Sequence, residues 1–347
     1  MDVVAEFWLN DPLKAAANLE SLADQSSYPV RTLRYGTSFR GRELVVFQAG
    51  DGPLRAVVVG GMHAAEMANG FGMLAFAHTL STGESPWGEE LGDWVGDLLR
   101  RQTITLVPFH NIDGAARMSR FLPGSYTRNR FNAADWDRYL HFVRDPIMRF
   151  GLTRGIDHFL TDEQMRVFVE EEGGVLGQLW SDQGVDLWED WLNLRAPETR
   201  ALRDFLDEIR PDCIFELHNH EGQSQMFVPI PAAKGRDRMT QLEYGERMMT
   251  ALMEEGLPCS RHSVRTYGIP ESLNQFPDVA YERYRCLVLF AEVCFGLTLD
   301  RQRELARSNP LSERDADLRE PTQDEIIRTV WVWLRALVDM GGERGYR

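Results

Sequence analysis

Long apolar runs, excess positive charge and closely spaced cysteine pairs are all missing from this sequence. No stretch of about 18 consecutive apolar residues, the length needed to cross a bilayer, occurs in it. Its 38 lysines and arginines face 53 acids, a net charge of −15, whereas phosphate binding needs a basic surface. The first residues lack the basic start and apolar core of a secretion signal. We therefore expect neither a membrane nor a nucleic acid as partner.

The four cysteines have no CxxC spacing and lie mostly in apolar runs such as "YRCLVLFAEVCFG". Such positions favour buried, reduced thiols over disulfides or metal ligands. They are Cys213, Cys259, Cys286 and Cys294. We expect a soluble, cytoplasmic protein, and the sequence does not indicate its oligomeric state.

Apolar strands and amphipathic helices alternate along both halves of the chain. The predicted strands cover 43–50, 55–61, 103–109, 213–217 and 286–293. The predicted helices cover 11–24, 66–80, 196–210 and 236–255, with a last one that starts at a Thr322–Glu325 capping box and ends at Gly341-Gly342. This alternation predicts an α/β fold, an α/β/α sandwich with a mixed, largely parallel sheet, in a single domain over 1–347.

Residues 131–184 interrupt this alternation. The segment is rich in aromatic and charged residues and has short helix-like pieces but no clear buried strand. Long connections of this kind usually carry function at the rim of a domain. We therefore interpret 131–184 as an insertion, either a lid or an interface.

The stretch "VVVGGMHAAEMANG" (57–70) places a histidine and a carboxylate directly after a predicted strand. His63 and Glu66 are three residues apart, close enough to chelate one zinc ion, but a third ligand must come from elsewhere. "FELHNHEG" supplies it, because the strand "CIFEL" is followed by His218. His220, two residues on, is the competing ligand. Two histidines and one glutamate leave a fourth position for water, whose pKa zinc lowers to about 7.

Glu292 lies inside the apolar run "LVLFAEVCFG". An unpaired carboxylate there costs several kcal/mol unless something compensates for it. A nearby metal site would do so, and a hydrolase also needs a base that moves a proton from water to the leaving amine. Glu292 is the candidate base, and an incidental salt-bridged strand residue is the alternative.

This ordered set resembles the zinc metallocarboxypeptidases of the carboxypeptidase A type. HxxE after a first strand, a histidine ending a later strand and a glutamate in a late apolar strand occur there in this order. "PFHNIDG" is similar to the family's "NPDG" turn, "YTRNR" to its "WRKNR" segment, and "APETRALRDFLDEIRPD" to the helix before its third ligand. The likeness covers most of residues 30–300. HxxE alone is weak, but the ordered set is specific.

The resemblance implies one zinc ion per chain held by His63, Glu66 and His218, with Glu292 as general base. It also implies that Arg128 polarises the scissile carbonyl, with Arg130 as the alternate if the alignment slips by two residues. Tyr267, in "RTYGIP", is the candidate for the family's mobile tyrosine over the substrate.

The segment that holds the substrate carboxylate in the family, "GVDxNRNW", has its best match at "GVDLWEDW" (184–191). Asp186 is kept, and the resemblance implies that it supports a metal-bound histidine. However, Trp188 replaces the asparagine and Glu189 the carboxylate-binding arginine. Glu189 would repel a carboxylate and favour a cationic or neutral group, unless it points into solvent. The alternative match "NAADWDRY" would make Arg138 the anchor.

Ala65 removes a further anion contact, because animal members carry an arginine at this HxxE position. We therefore expect zinc-dependent hydrolysis of a peptide bond by a metallopeptidase with non-standard specificity. The alternative is an amidase or deacylase of the succinylglutamate desuccinylase and aspartoacylase type, acting on a small N-acyl amino acid. A silent binding protein on the same fold would normally have lost a ligand or the base, and none is lost here.

Overall fold

An eight-stranded mixed sheet runs through the described part of the protein. The computed structural model describes residues 2–7, 9, 11–121, 150, 159–171, 176, 180–220, 225–257, 259–264, 274–294 and 321–346. The strands are β1 (Val30–Thr37), β2 (Glu43–Ala49), β3 (Leu54–Gly60), β4 (Gln102–Val107), β5 (Cys213–His220), β6 (Gln225–Val228), β7 (Cys259–Val264) and β8 (Leu287–Cys294). Their order across the sheet is β1-β2-β4-β3-β5-β8-β6-β7.

The four central strands β4, β3, β5 and β8 are all parallel. Antiparallel pairing joins β1 to β2, β2 to β4, and β6 to β8. The carboxyl ends of β3, β5 and β8 therefore meet at one edge of the sheet, and ligand sites in open α/β sheets lie outside such ends.

Helices connect the strands, some at nearly the predicted places and some where none was predicted. They are α1 (Val3–Phe7), α2 (Pro12–Gln25), α3 (Ala68–Thr82), α4 (Gly92–Arg101), α5 (Ile112–Phe121), α6 (Asp162–Met165), α7 (Pro197–Ile209), α8 (Gly235–Glu254), α9 (Phe276–Tyr284) and α10 (Gln323–Arg344), and a π-helical turn, Arg166–Glu171, follows α6. Asp11 caps α2 through the backbone N–H groups of Leu13 and Lys14. The predicted capping box of Thr322 and Glu325 is present at the start of α10.

Alternate residues of the central strands fill two cores on opposite faces of the sheet. In β3, Ala56 and Val58 pack into the core shared with α2, α3, α4, α8 and α10. Val57 and Val59 face the other core, shared with α7 and α9. The protein is therefore an α/β/α sandwich with a mixed sheet and parallel centre, as the sequence predicts.

Among the element ends that differ from the prediction, those of β5 and α10 have a structural reason. β5 continues to His220 instead of ending at Leu217, so His218 lies within the strand. α10 continues past Gly341 to Arg344. Gly341 packs against the ring of Tyr346, which a Cβ at that position would overlap, so this glycine serves packing and does not end the helix.

Much of the predicted insertion at 131–184 lies outside the described residues. In its described part, Leu160, Phe168, Leu176 and Trp180 form a small separate core. Among the described cysteines, Cys213, Cys259 and Cys286 form no disulfide. No helix in the described part of the chain has both the length and the apolarity to cross a membrane.

Candidate metal centre and active site

Two glycines turn the chain out of β3 and towards the loop after β4. Gly61 has a φ of +64°, and a Cβ there would lie 3.1 Å from the carbonyl oxygen of Pro108. The backbone N–H groups of His110 and Asn111 donate to the carbonyls of Gly60 and Gly61. This pairing fixes the start of the loop that carries His63. The backbone N–H of Glu66 then donates to the His63 carbonyl, which brings the two side chains onto the same turn.

Three donor side chains converge at this edge of the sheet. The Nδ1 atom of His63 lies 2.8 Å from Oε1 of Glu66, and Nδ1 of His218 lies 2.9 Å from Oε2 of the same carboxylate. The side chains of His63, Glu66 and His218 are largely buried and offer one ligand atom each within 4.8 Å of one another. Two imidazoles and one carboxylate in this arrangement match the donor set of a catalytic zinc site, which keeps an open position.

Attraction between the acids and the histidines shifts the pKa values of the groups in this cluster. Burial by itself would lower the pKa of His63, but the carboxylates of Glu66 and Asp186 raise that pKa to about 9. Burial would raise the pKa of Glu66, yet His63 and His218 lower that pKa to about 2. The pKa of His218 is also raised, because Glu66 and Glu216 outweigh its burial. Charge attraction around the Glu66 carboxylate therefore helps to hold the two imidazoles in place.

Asp186 and Trp188 lie directly against the two histidines. Oδ1 of Asp186 is 3.5 Å from Nε2 of His63 and accepts a hydrogen bond from the backbone N–H of Trp188 at 3.0 Å. The Trp188 ring meets the rings of His63 and His218 edge to face, at centroid distances of 5.9 and 5.5 Å. Trp188 therefore forms one wall of the site.

Glu292 is the register partner of His218 on the neighbouring parallel strand β8. Side chains at paired positions of parallel strands point to the same face, so Glu292 extends from the sheet beside His218. Burial raises the pKa of Glu292 to about 8, and Glu66 and Glu216 add to this rise while His218 and His63 oppose it. A buried carboxyl with a pKa near neutrality suits a group that takes up and releases a proton.

Glu216 is a buried acid of the site that the sequence analysis missed. It lies on β5 two residues before His218, and its Oε1 is 2.9 Å from Nε2 of His218. Burial raises the pKa of Glu216, and the nearby His218 partly offsets the rise. The signal in the sequence was the spacing of two within one strand, which places both side chains on one face.

Glu189 is 4% exposed and does not point into solvent. Its Oε1 accepts a long hydrogen bond of 3.5 Å from the Gln275 side chain. The backbone N–H of Phe276 donates to the Trp188 carbonyl, which joins the two segments. Glu189 is therefore enclosed where the segments 188–192 and 274–276 meet.

Several predicted site residues belong to other parts of the chain. Arg128, Arg130, Tyr267 and the alternative anchor Arg138 lie outside the described residues, and so does the side chain of His220. His110 is described and fully buried, with its Nδ1 3.0 Å from the Tyr35 hydroxyl. It belongs to the packing between β1 and the loop after β4.

Comparison with known proteins decides the family. A model of the zinc carboxypeptidase family matches residues 16–241, well over half of the chain. The chain belongs to this family. It is a zinc metallopeptidase, and the His-Glu-His group has the donors that the family's zinc requires. A search of curated protein sequences finds no match.

Solved structures share the zinc carboxypeptidase fold at low sequence identity. A metallo-carboxypeptidase from Burkholderia cenocepacia has 15% identity and a TM-score of 0.61, over 93% of this chain and 67% of that one. One from Pseudomonas aeruginosa, in complex with (2-guanidinoethylmercapto)succinic acid, has 16% identity and a TM-score of 0.56, over 93% and 67%. Bovine thrombin-activatable fibrinolysis inhibitor has 13% identity and a TM-score of 0.51, over 95% and 97%. This chain thus spans about two thirds of the length of the two bacterial proteins.

Proposed function

We propose that this member of the zinc carboxypeptidase family hydrolyses a peptide bond with one zinc ion held by His63, Glu66 and His218. The observation that carries the proposal is the convergence of these three donors at the edge of the sheet where Glu292 is paired in register with His218. When bound, zinc polarises a carbonyl and makes water a better nucleophile at neutral pH.

Other side chains of the site transfer the proton, support the zinc ligands and bind the substrate. Glu292, the register partner of His218 on β8, accepts the proton of the attacking water and returns it to the leaving amine. Asp186 supports His63 from the side opposite to Glu66. Arg128, with Arg130 as the alternate, stabilises the oxyanion, and Tyr267 covers the substrate; these three roles rest on the sequence resemblance alone.

The residues on the substrate-binding side differ from those of a peptidase that binds a free C-terminal carboxylate. By the sequence resemblance, Trp188 and Glu189 stand at the positions of the family's carboxylate-binding pair; the Trp188 ring packs against His218, and the Glu189 side chain is buried. A buried acid repels a carboxylate and attracts a cation. We therefore propose that the preferred substrate has a neutral or cationic group at this position.

A soluble, cytoplasmic location, a single domain over 1–347 and a peptide or small amide as partner are parts of the same proposal. The buried, unbridged positions of Cys213 and Cys286 support a reducing compartment. One sheet that takes strands from residue 30 to residue 294 supports a single domain with an insertion at 131–184.

Metal analysis combined with Glu292→Gln tests the proposed chemistry. We expect about one zinc per chain in both proteins, because Glu292 is not one of the three donors. Hydrolysis should be lost in the variant, because glutamine cannot accept the proton. Absence of bound zinc in the wild type, or turnover by the variant, would refute the proposal. A library of peptides and N-acyl amino acids separates the two substrate classes, and cleavage of N-acyl amino acids alone would identify a deacylase.

A further inference from the structure

Glu216 is a fully buried carboxylate on β5 with a partner for each of its oxygens. Its Oε1 is 2.9 Å from Nε2 of His218, and its Oε2 accepts a hydrogen bond of 3.3 Å from Nε1 of Trp188. A buried carboxylate is costly unless its oxygens are satisfied, and both partners here are ring N–H groups. The two contacts tie a candidate zinc ligand to the wall of the substrate site.

The contact with His218 determines which nitrogen of that ring is left for a metal. An ionised carboxylate only accepts hydrogen bonds, so Nε2 of His218 must carry the proton that faces Glu216. In the neutral ring this leaves a lone pair on Nδ1, which faces Glu66 and lies 3.1 Å from Nδ1 of His63. Glu216 therefore selects the tautomer that a metal ligand needs.

The contact with Trp188 holds the indole ring in place. The indole N–H is a donor only, and Glu216 is its acceptor. The backbone N–H of Trp188 is held by Asp186, the acid beside His63. Two acids thus link the histidines to Trp188. Asp186 contacts His63 and the Trp188 backbone, and Glu216 contacts His218 and the Trp188 indole.

We infer that Glu216 is a positioning residue that orients His218 for zinc and at the same time fixes Trp188 on the substrate side. Zinc affinity and substrate binding are therefore coupled through one buried carboxylate. The inference rests on the proposed zinc site of His63, Glu66 and His218. Glu216 thus supports the third ligand, His218, just as Asp186 supports His63.

Glu216→Gln is the decisive substitution because glutamine has nearly the same shape. If its oxygen faces His218, its NH₂ group faces the Trp188 N–H, and two donors oppose each other. If the amide flips, the NH₂ group faces Nε2 of His218 and favours the tautomer with the proton on Nδ1. Either arrangement breaks one of the two contacts. Substitutions of this kind lower metal affinity by about 10–100-fold.

Zinc affinity is measured on metal-stripped protein by competition with a chromophoric chelator, without any activity assay. Glu198→Gln is the matched control, because Glu198 is also fully buried but accepts a hydrogen bond from Phe39, remote from His218. We expect the affinity to fall by about 10–100-fold in Glu216→Gln and to stay unchanged in Glu198→Gln. Equal affinity in wild type and Glu216→Gln would overturn the inference. A wild type that binds no zinc would instead refute the proposed function.

Trp188→Phe tests the second contact, since it keeps an aromatic ring and removes the N–H. For a substrate that the wild type cleaves, we expect a raised KM in Trp188→Phe and in Glu216→Gln, and a smaller than additive rise in the double variant. Additive effects would show that the two residues act independently and would overturn the coupling.

Glu216→Asp is the further variant if Glu216→Gln does not fold. It keeps the charge but withdraws the carboxylate from His218, so a positioning role predicts a loss of zinc affinity. Retained affinity in Glu216→Asp would show that the charge alone matters and would overturn the inference.

Discussion

The Nδ1 atoms of His63 and His218 lie 3.1 Å apart, each facing one oxygen of Glu66. The two nitrogens come from segments 155 residues apart in the chain, and the carboxylate between them holds both rings. Two imidazoles this close to each other and to one acid are suited to a shared cation, whose charge replaces the protons of the rings.

The first prediction concerns this contact. His63→Ala should leave a purified protein with little zinc, because two remaining donors hold zinc far less tightly than three. Zinc content is measured by elemental analysis after dialysis against a weak chelator. The control is His78→Ala on α3, where the histidine packs against Phe7. Equal zinc in His63→Ala and wild type would rule out His63 as a ligand.

The second prediction concerns the turn after β3. Gly61→Ala adds a Cβ in the left-handed region and presses it against Pro108 and Phe109. We expect a loss of about 1–2 kcal/mol in the free energy of unfolding from the backbone conformation alone, and weaker zinc binding from the displaced loop. Gly41→Ala is the control, because its φ is +80° but nothing lies within 4 Å of the added Cβ.

Denaturant unfolding and chelator competition on both glycine variants separate the two effects. Gly41→Ala should lose stability but keep zinc affinity. If Gly61→Ala also keeps its affinity, the turn does not position His63.

The third prediction is a pH dependence of stability that originates at His110. Burial lowers the pKa of His110 from 6.5 to about 3, so the folded protein keeps this ring neutral. The unfolded chain takes up a proton below pH 6.5 that the folded protein does not, so stability is lost as pH falls from 6.5 towards 3. Between pH 7 and pH 5 the loss from this group is about 2 kcal/mol.

Urea unfolding of wild type and His110→Gln at pH 7 and pH 5 measures this contribution. Glutamine does not titrate and can still hydrogen-bond to Tyr35, so the variant should lose less stability between the two pH values. Identical losses in both proteins would mean that His110 is not the source.

The fourth prediction concerns substrate charge. Glu189→Gln removes a buried carboxylate at the position that, by the sequence resemblance, we propose to correspond to the family's carboxylate-binding arginine. We expect kcat/KM for peptides with a free C-terminus to rise relative to their amidated counterparts. Glu43→Gln is the control for net charge, because Glu43 pairs with Arg34 on the surface. A wild type that already prefers the free carboxylate would contradict the placement of Glu189.

Local sequence patterns were sufficient for most elements of the fold. Apolar runs with flanking turn residues predict β3, β4, β5 and β8, because these strands are buried on both faces. Pro197 and Arg210-Pro211 bound α7 as expected. β1 and α5 were missed for different reasons. β1 is only half-buried and has no apolar alternation, and α5 starts at Ile112, directly after Asn111, whose side chain accepts from the Gly114 N–H within the supposed turn "NIDG".

The sequence by itself determined the donor types and their order, because HxxE after one strand and a histidine in a later strand are local patterns. Only the tertiary structure decided what surrounds them. The parallel register of β5 and β8 pairs His218 with Glu292, and no local pattern contains that pairing. Glu216 contacts both His218 and Trp188, and Glu189 is enclosed against Gln275, because distant segments bring donors and acceptors together where water is excluded.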